Sequence, residues 1–113
     1  MLTIYCNPRC NKSRQTLKII EESGNKVETI NYLNDPLNEE ELKDLVDKLG
    51  LPVTYLVRKG EKLYKENYKS REISEEEWFK ILAENPILIE RPIVVKGDKA
   101  ILGRPPENVE ILL

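Results

Sequence analysis

Two cysteines near the amino terminus are the residues whose type and spacing most directly suggest chemistry. Cys6 and Cys10 are separated by three residues, and Arg9, Lys12 and Arg14 place three cationic side chains within four residues of Cys10. Nearby positive charge stabilises a thiolate, so the pKa of Cys10 is predicted to fall from about 8.5 to roughly 6–7. Cys10 is therefore a candidate nucleophile, although a cysteine in a small domain is often an inert buried residue.

The elements predicted around Cys10 strengthen this interpretation. The apolar run Leu2 to Tyr5 predicts a strand buried on both faces, because it does not alternate, and residues 12–23 predict a helix. Cys10 would lie at the turn between them. There the unpaired N–H groups that begin a helix favour an anion or a thiolate. We therefore expect the rest of the chain to hold an oxyanion in front of this sulfur.

The remaining elements predict an α/β fold in one domain spanning residues 1–113. They are a strand at 26–32, helices that begin after Asn38 and Ser74, a hairpin with strands at 91–95 and 100–102, and a last helix at 107–113. The first two strands should pair in parallel through a right-handed crossover. The hairpin then completes a four-stranded mixed sheet with helices on both faces.

The composition argues against several classes of function. A net charge of −2 disfavours bulk binding to nucleic acid or anionic membranes, and no apolar run approaches the ~18 residues that span a bilayer. The chain has no histidine and only two cysteines, which is too few ligands for a closed zinc site, so no metal site is predicted. Two cysteines without an export signal favour a cytoplasmic protein with reduced thiols.

Four segments of the chain carry a family resemblance. They are residues 4–14, 56–59, 85–95 and 103–105. In this order they resemble the active-site stretch, central segment, late signature and last basic motif of the glutaredoxin-coupled arsenate reductases. These enzymes belong to the arsenate reductase (ArsC)/Spx family of the thioredoxin-like superfamily. The likeness covers nearly the whole chain, and the predicted order of elements is that of the thioredoxin-like fold.

The resemblance implies a role for each matching residue. Cys10 would be the nucleophile that attacks arsenic. Three arginines would form the oxyanion pocket: Arg58, Arg91 and Arg104. Pro92 would follow a cis peptide bond and face the cysteine. Arsenate, or a similar oxyanion, would be reduced to arsenite through a covalent Cys10–arsenic intermediate. Glutathione would be the co-substrate and glutaredoxin the partner, with no bound cofactor.

Some neighbours of this predicted site have two interpretations. Asn7 and Ser13 either shape the loop or hydrogen-bond the thiolate, and Arg14 adds positive charge. Cys6 stands where the reductases compared have histidine. It is either a small buried residue at the end of the strand or a resolving thiol that closes a disulfide with Cys10. Such a disulfide would make the protein a dithiol reductase in place of a glutathione-dependent one.

Two other functions are consistent with the same family. Spx-type transcriptional regulators bind RNA polymerase and use a Cys-x-x-Cys motif as a redox switch. Here Ser13 occupies the position of the second cysteine, and the Arg104-Pro105 segment suits an anion pocket, so both features favour the enzyme. A thiol-disulfide reductase with another substrate could bind carboxylates with the same arginines.

Overall fold

The computed structural model describes residues 2–113 and contains a four-stranded mixed sheet. Its strands are β1 (Leu2–Cys6), β2 (Val27–Asn31), β3 (Ile93–Lys96) and β4 (Lys99–Leu102), in the spatial order β2-β1-β3-β4. β1 pairs in parallel with β2 and antiparallel with β3, and β3 and β4 form the hairpin. The predicted four-stranded mixed sheet, with its parallel first pair and its hairpin, is therefore confirmed.

Helical segments follow the predicted order. The α-helices are α1 (Asn11–Glu22), α2 (Glu39–Leu49), α3 (Lys62–Asn67) and α4 (Glu75–Glu84), and 3₁₀ helices span Val53–Leu56, Pro86–Leu88 and Pro106–Leu112. The final segment differs from the predicted α-helix, because bonds such as Asn108 N–H to the Pro105 carbonyl join residues three apart. No helix within residues 2–113 is long and apolar enough to cross a membrane.

The chain divides into two compact units. Unit 1 comprises the chain up to Asp35 together with Arg91–Leu113, and unit 2 comprises Pro36–Glu90. Unit 1 therefore holds the whole sheet, α1 and the final 3₁₀ helix, whereas unit 2 holds the other helices. The single domain proposed for residues 1–113 stays a prediction.

Strand β1 is buried mainly on one face. Leu2, Ile4 and Cys6 are buried, whereas Thr3 and Tyr5 on the other face remain partly exposed. The prediction that both faces are buried was wrong, because Thr and Tyr are strand-forming residues that tolerate water, and an apolar count does not separate them from core residues. The buried face belongs to a core completed by α1 and the final 3₁₀ helix, through Ile20, Val109 and Leu112.

Unit 2 is organised by capped helices. The Asn38 side chain accepts from the Glu41 N–H at 2.8 Å, and the Glu41 carboxylate accepts from the Asn38 N–H at 3.0 Å, so the predicted capping box is present. Gly50 ends α2 with a positive φ of 66°, a conformation that glycine adopts without steric cost. Ser74 likewise accepts from the Glu77 N–H and begins α4.

Candidate active site

Cys10 is the residue that immediately precedes α1, as predicted. A turn brings it there: the Cys10 N–H donates to the Asn7 carbonyl at 2.9 Å, and the Arg9 N–H donates to the Asn7 side chain at 3.0 Å. The Cys10 carbonyl then accepts from the Arg14 N–H at 3.1 Å, which begins the helix. These bonds agree with the interpretation that Asn7 shapes the loop, and a hydrogen bond from Asn7 to the thiolate stays a prediction.

The pKa of the Cys10 thiol is lowered from 9.0 to about 7. Burial opposes this shift, but hydrogen bonds from the Ser13 N–H, the Arg91 guanidinium and the Lys12 N–H outweigh it. The Ser13 hydroxyl makes the smallest contribution of the groups that act on the sulfur. The direction of the shift agrees with the sequence-based expectation, because it makes Cys10 more readily ionised near neutral pH than an ordinary cysteine.

Part of this stabilisation comes from a source expected from the sequence, because the N–H groups of Lys12 and Ser13 at the start of α1 hydrogen-bond the sulfur. The neighbouring cations contribute less than expected. The side chains of Arg9, Lys12 and Arg14 are exposed to solvent, where their charges are screened. Arg14 hydrogen-bonds the Asn11 side chain. The backbone N–H groups and the distant Arg91 lower the pKa of Cys10, and the supporting role of Arg14 stays a prediction.

Ser13 lies in the first turn of α1 and is almost completely buried. Its hydroxyl group has no hydrogen-bond partner of standard geometry among residues 2–113, yet it is one of the groups that lower the pKa of Cys10, by the smallest amount. A buried polar atom without a partner costs about 1–3 kcal/mol, and such atoms commonly mark a place where a ligand binds.

Arg91 and Arg104 meet at the open end of the hairpin. The Arg104 Nε donates to the Arg91 carbonyl at 2.6 Å, and Arg104 Nη2 donates to Cys10 Sγ at 3.6 Å. The pairing of Ile93 with Leu102 places the residues that flank the two strands side by side. The predicted convergence of these two arginines near Cys10 is therefore present within unit 1.

The Arg91 guanidinium has contacts with both Cys10 and Tyr32. Burial acts to lower the pKa of Arg91, but hydrogen bonds to the Cys10 sulfur and to Tyr32 raise it overall, so the side chain stays charged. Its Nε is buried and has no hydrogen-bond partner among residues 2–113. Like the Ser13 hydroxyl, the Arg91 Nε is therefore a buried donor that makes no hydrogen bond of standard geometry in the described chain.

Arg58, the third arginine proposed for the pocket, belongs to unit 2 and has acidic neighbours there. Its Nε lies 3.4 Å from Glu61 Oε1, and its Nη1 lies 3.5 Å from Glu90 Oε1. Neither nitrogen makes a hydrogen bond of standard geometry within the described chain. The oxyanion-binding role of Arg58 stays a prediction.

Pro92 and Gly103 form a close contact beside the two arginines. The Arg91–Pro92 peptide is cis, as the resemblance implies, and the Arg104–Pro105 peptide is cis as well. The Gly103 N–H donates to the Pro92 carbonyl at 2.9 Å. A Cβ atom at Gly103 would lie 2.7 Å from Pro92 Cγ and 2.7 Å from Thr16 Oγ1, so only glycine fits this position without a shift.

Substitution of Gly103 by alanine is expected to lower the free energy of unfolding by about 1–3 kcal/mol, the usual cost of overpacking. The expected cause is the contact of the new methyl group with the Pro92 ring and with Thr16, which is held in α1. Urea denaturation measures the effect. Gly60→Ala is the matched control, since a Cβ there meets nothing within 4 Å. Equal stability of the two variants would contradict the expectation.

Cys6 is a free, buried thiol at the end of β1. Burial raises its pKa, and the negative charge of Cys10 raises it further, so Cys6 is neutral where Cys10 is ionised. Its position in the core agrees with the first interpretation, a small buried residue. The resolving-thiol interpretation stays a prediction, because both cysteines are reduced in this structure.

Sequence reasoning missed the contribution of two residues. Tyr32 has no functional sequence signal beyond being an aromatic residue at the end of a predicted strand, yet it contacts Arg91. Gly103 was noticed only as part of a motif, whereas the structure shows a steric reason for it. Both effects depend on contacts between segments about 60 to 90 residues apart in the chain, which local patterns do not encode.

Comparisons with known proteins agree with this geometry. Residues 5–112 match the model of the ArsC family. The chain is 46% identical over 108 residues to the uncharacterized protein YfgD of Escherichia coli, covering 94% of this chain and 91% of that protein. It is 45% identical over 112 residues to the arsenate reductase of Haemophilus influenzae, covering 96% of this chain and 97% of that one.

A solved structure is similar to this fold. The arsenate reductase from Vibrio cholerae superposes with a TM-score of 0.94 at 46% identity, over 99% of this chain and 97% of that one. The similarity thus extends over the sheet, the helices and the segments that carry Cys10, Arg91 and Arg104. The chain belongs to the ArsC family and has its thioredoxin-like α/β fold.

Proposed function

We propose that the protein is an arsenate reductase in which Cys10 is the nucleophile. The observation that supports this most directly is a cysteine with a pKa of about 7 in contact with Arg91 and Arg104. A thiolate beside two permanent cations suits a substrate that is an oxyanion and reacts at an electrophilic centre. The names of the similar proteins from Haemophilus influenzae and Vibrio cholerae point to arsenate as that oxyanion.

The unused donors of the site suit a tetrahedral anion. Arsenate near neutral pH is a doubly charged analogue of phosphate, and guanidinium groups bind such oxygens by paired hydrogen bonds. The Arg91 Nε and the Ser13 hydroxyl are buried and make no hydrogen bond of standard geometry within residues 2–113, and Ser13 also lies in the first turn of α1. We propose that they bind substrate oxygens together with Arg104, and that Arg58 supplies a third guanidinium.

The proposed reaction starts when the Cys10 thiolate attacks arsenic(V). The new sulfur–arsenic bond replaces one arsenic–oxygen bond, and the displaced oxygen leaves as water after protonation. Thiols from glutathione and then glutaredoxin supply two electrons, so arsenic(V) becomes arsenic(III) and two thiols become one disulfide. Water then replaces the sulfur on arsenic(III), so the bond to Cys10 breaks, arsenite leaves and Cys10 regains its thiol form. This chemistry requires a compartment that contains glutathione, such as the cytoplasm.

Formation of arsenite from arsenate tests the proposal. We expect turnover with glutathione and glutaredoxin together, and a much lower rate with glutathione alone or with thioredoxin in place of glutaredoxin. The control reaction contains both donors without the protein. A folded protein with a normally titrating Cys10 that produces no arsenite above this control would overturn the proposed function. Turnover with thioredoxin only would retain the reductase but change the donor.

A further inference from the structure

We propose that Tyr32 is a positioning residue whose buried hydroxyl group holds the Arg91 guanidinium against the Cys10 sulfur. Its effect on arsenate reduction rests on the proposed function. Its effect on the sulfur does not, because the ionisation of Cys10 is a property of the protein without substrate. The two can therefore be tested separately.

The sheet brings Tyr32 to the same edge as the nucleophile. Tyr32 directly follows β2, and the last pair of the parallel ladder joins Cys6 of β1 with Asn31 of β2. Because the carboxyl ends of parallel strands lie at one edge of a sheet, the loop that carries Cys10 and the residue after Asn31 leave the sheet together. Tyr32 is 0% exposed, so its hydroxyl group needs a partner within the protein.

Arg91 is one partner of that hydroxyl group. Hydrogen bonds to the Cys10 sulfur and to the Tyr32 oxygen are among the causes that raise the pKa of Arg91, and Arg104 also donates to this sulfur, at 3.6 Å. The ion pairs found in residues 2–113 do not include Arg91, so no carboxylate holds this side chain in place. Its Nε has no partner either. Among the groups that act on Arg91 within residues 2–113, the Tyr32 hydroxyl is the one besides the sulfur that can orient the guanidinium.

An uncharged partner such as Tyr32 leaves the positive charge of Arg91 available to the sulfur. A carboxylate would orient a guanidinium equally well, but its negative charge would cancel much of the field at the sulfur. Tyrosine at neutral pH is uncharged, so Arg91 keeps its full positive charge for the thiolate and for an incoming oxyanion. Arg58 in unit 2 shows the opposite arrangement, with Glu61 and Glu90 beside it. Arg104 follows the neutral pattern, because its Nε donates to a backbone carbonyl.

The Tyr32→Phe variant tests this role, since phenylalanine retains the ring and removes only the hydroxyl group. We expect the pKa of Cys10 to rise from about 7 toward 9.0, because Arg91 is no longer held at the sulfur. The rate of alkylation of Cys10 by iodoacetamide at pH 7 should fall about 3- to 10-fold, the equivalent of one hydrogen bond. Mass spectrometry of the peptide that contains Cys10 separates its signal from that of Cys6.

Tyr55→Phe is the matched control, because Tyr55 is 59% exposed and lies in unit 2. It should alkylate at the wild-type rate and retain the wild-type pKa of Cys10. A double variant adds a second check: once Arg91→Met has removed the guanidinium, Tyr32→Phe should have no further effect on the pKa. A folded Tyr32→Phe protein with an unchanged Cys10 pKa would overturn the proposal, and so would an equal effect of Tyr32→Phe with and without Arg91.

If Tyr32→Phe does not fold, a measurement that keeps the contact between Tyr32 and Arg91 tests the proposal instead. A fluorotyrosine placed at position 32 should show a fluorine resonance that shifts as Cys10 titrates, because Arg91 joins the two groups. A resonance that is unchanged across the titration of Cys10 would reject the proposal. In the arsenate assay, Tyr32→Phe should lower kcat/KM about 3- to 10-fold. Absence of turnover in the wild type and in every variant would reject the proposed function. It would not affect the measured change in the pKa of Cys10.

Discussion

The Cys10→Ser variant is expected to lose arsenate reduction by about a thousandfold or more, down to the rate without protein. Serine is nearly isosteric with cysteine and preserves the turn from Asn7, but its hydroxyl group does not ionise near neutral pH. An alcohol oxygen also cannot take part in thiol exchange, so the bond to arsenic could not be resolved by glutathione. Arsenite formation with glutathione and glutaredoxin measures the loss.

Cys6→Ser makes the same chemical change at the other cysteine and distinguishes two mechanisms. If Cys6 is only a small buried residue, as its position in the core indicates, this variant should retain glutathione-dependent turnover. Equal loss in both variants, together with a disulfide between the two cysteines after one turnover, would indicate the dithiol mechanism. Normal turnover by Cys10→Ser would contradict any role of Cys10 as the nucleophile.

Much of the fold could be predicted because the responsible signals are local. The capping box at Asn38, the glycine that ends α2 and the hairpin between β3 and β4 each depend on a few adjacent residues. The proximity of Arg91 to Arg104 was also predictable, since a hairpin of known register determines which flanking residues are neighbours. Those features needed no knowledge of packing between distant segments.

The features that were missed all depend on such packing. The backbone N–H groups of Lys12 and Ser13 stabilise the thiolate, as the helix start predicts. The exposed loop cations are not among the groups that lower the pKa of Cys10, whereas the distant Arg91 is. Charge is easy to count in a sequence, whereas desolvation is not, and desolvation determines which charges act strongly. Tyr32 belongs to the same category, because its hydroxyl acquires a function only when β2 is placed beside β1.

Arg91→Met is the second variant for which a large effect is expected. Methionine retains much of the length and apolar volume of the side chain but removes the charge and every donor. The pKa of Cys10 should therefore rise from about 7 toward 9.0, and less thiolate should be present at pH 7. With the loss of a charged hydrogen bond to the sulfur and another to the substrate, kcat/KM for arsenate should fall about 100-fold.

The pH dependence separates the two parts of this loss. A raised pKa moves the rising limb of the activity profile to higher pH, so measurement near pH 9 restores the thiolate but not the binding of the oxyanion. We expect a raised KM for arsenate to persist there. Arg91→Lys keeps the charge but loses the planar fork. Its Cys10 pKa should therefore lie closer to the wild-type value than its KM for arsenate does.

Arg9→Met is the matched control, because Arg9 is adjacent to Cys10 in sequence but exposed to solvent. In this variant the pKa of Cys10 and the rate of arsenate reduction should equal those of the wild type. If Arg9→Met raised the pKa of Cys10 as much as Arg91→Met does, the thiolate would depend on the local basic cluster after all. Because screening weakens exposed charges and burial strengthens paired ones, we expect the distant arginine to have the larger effect.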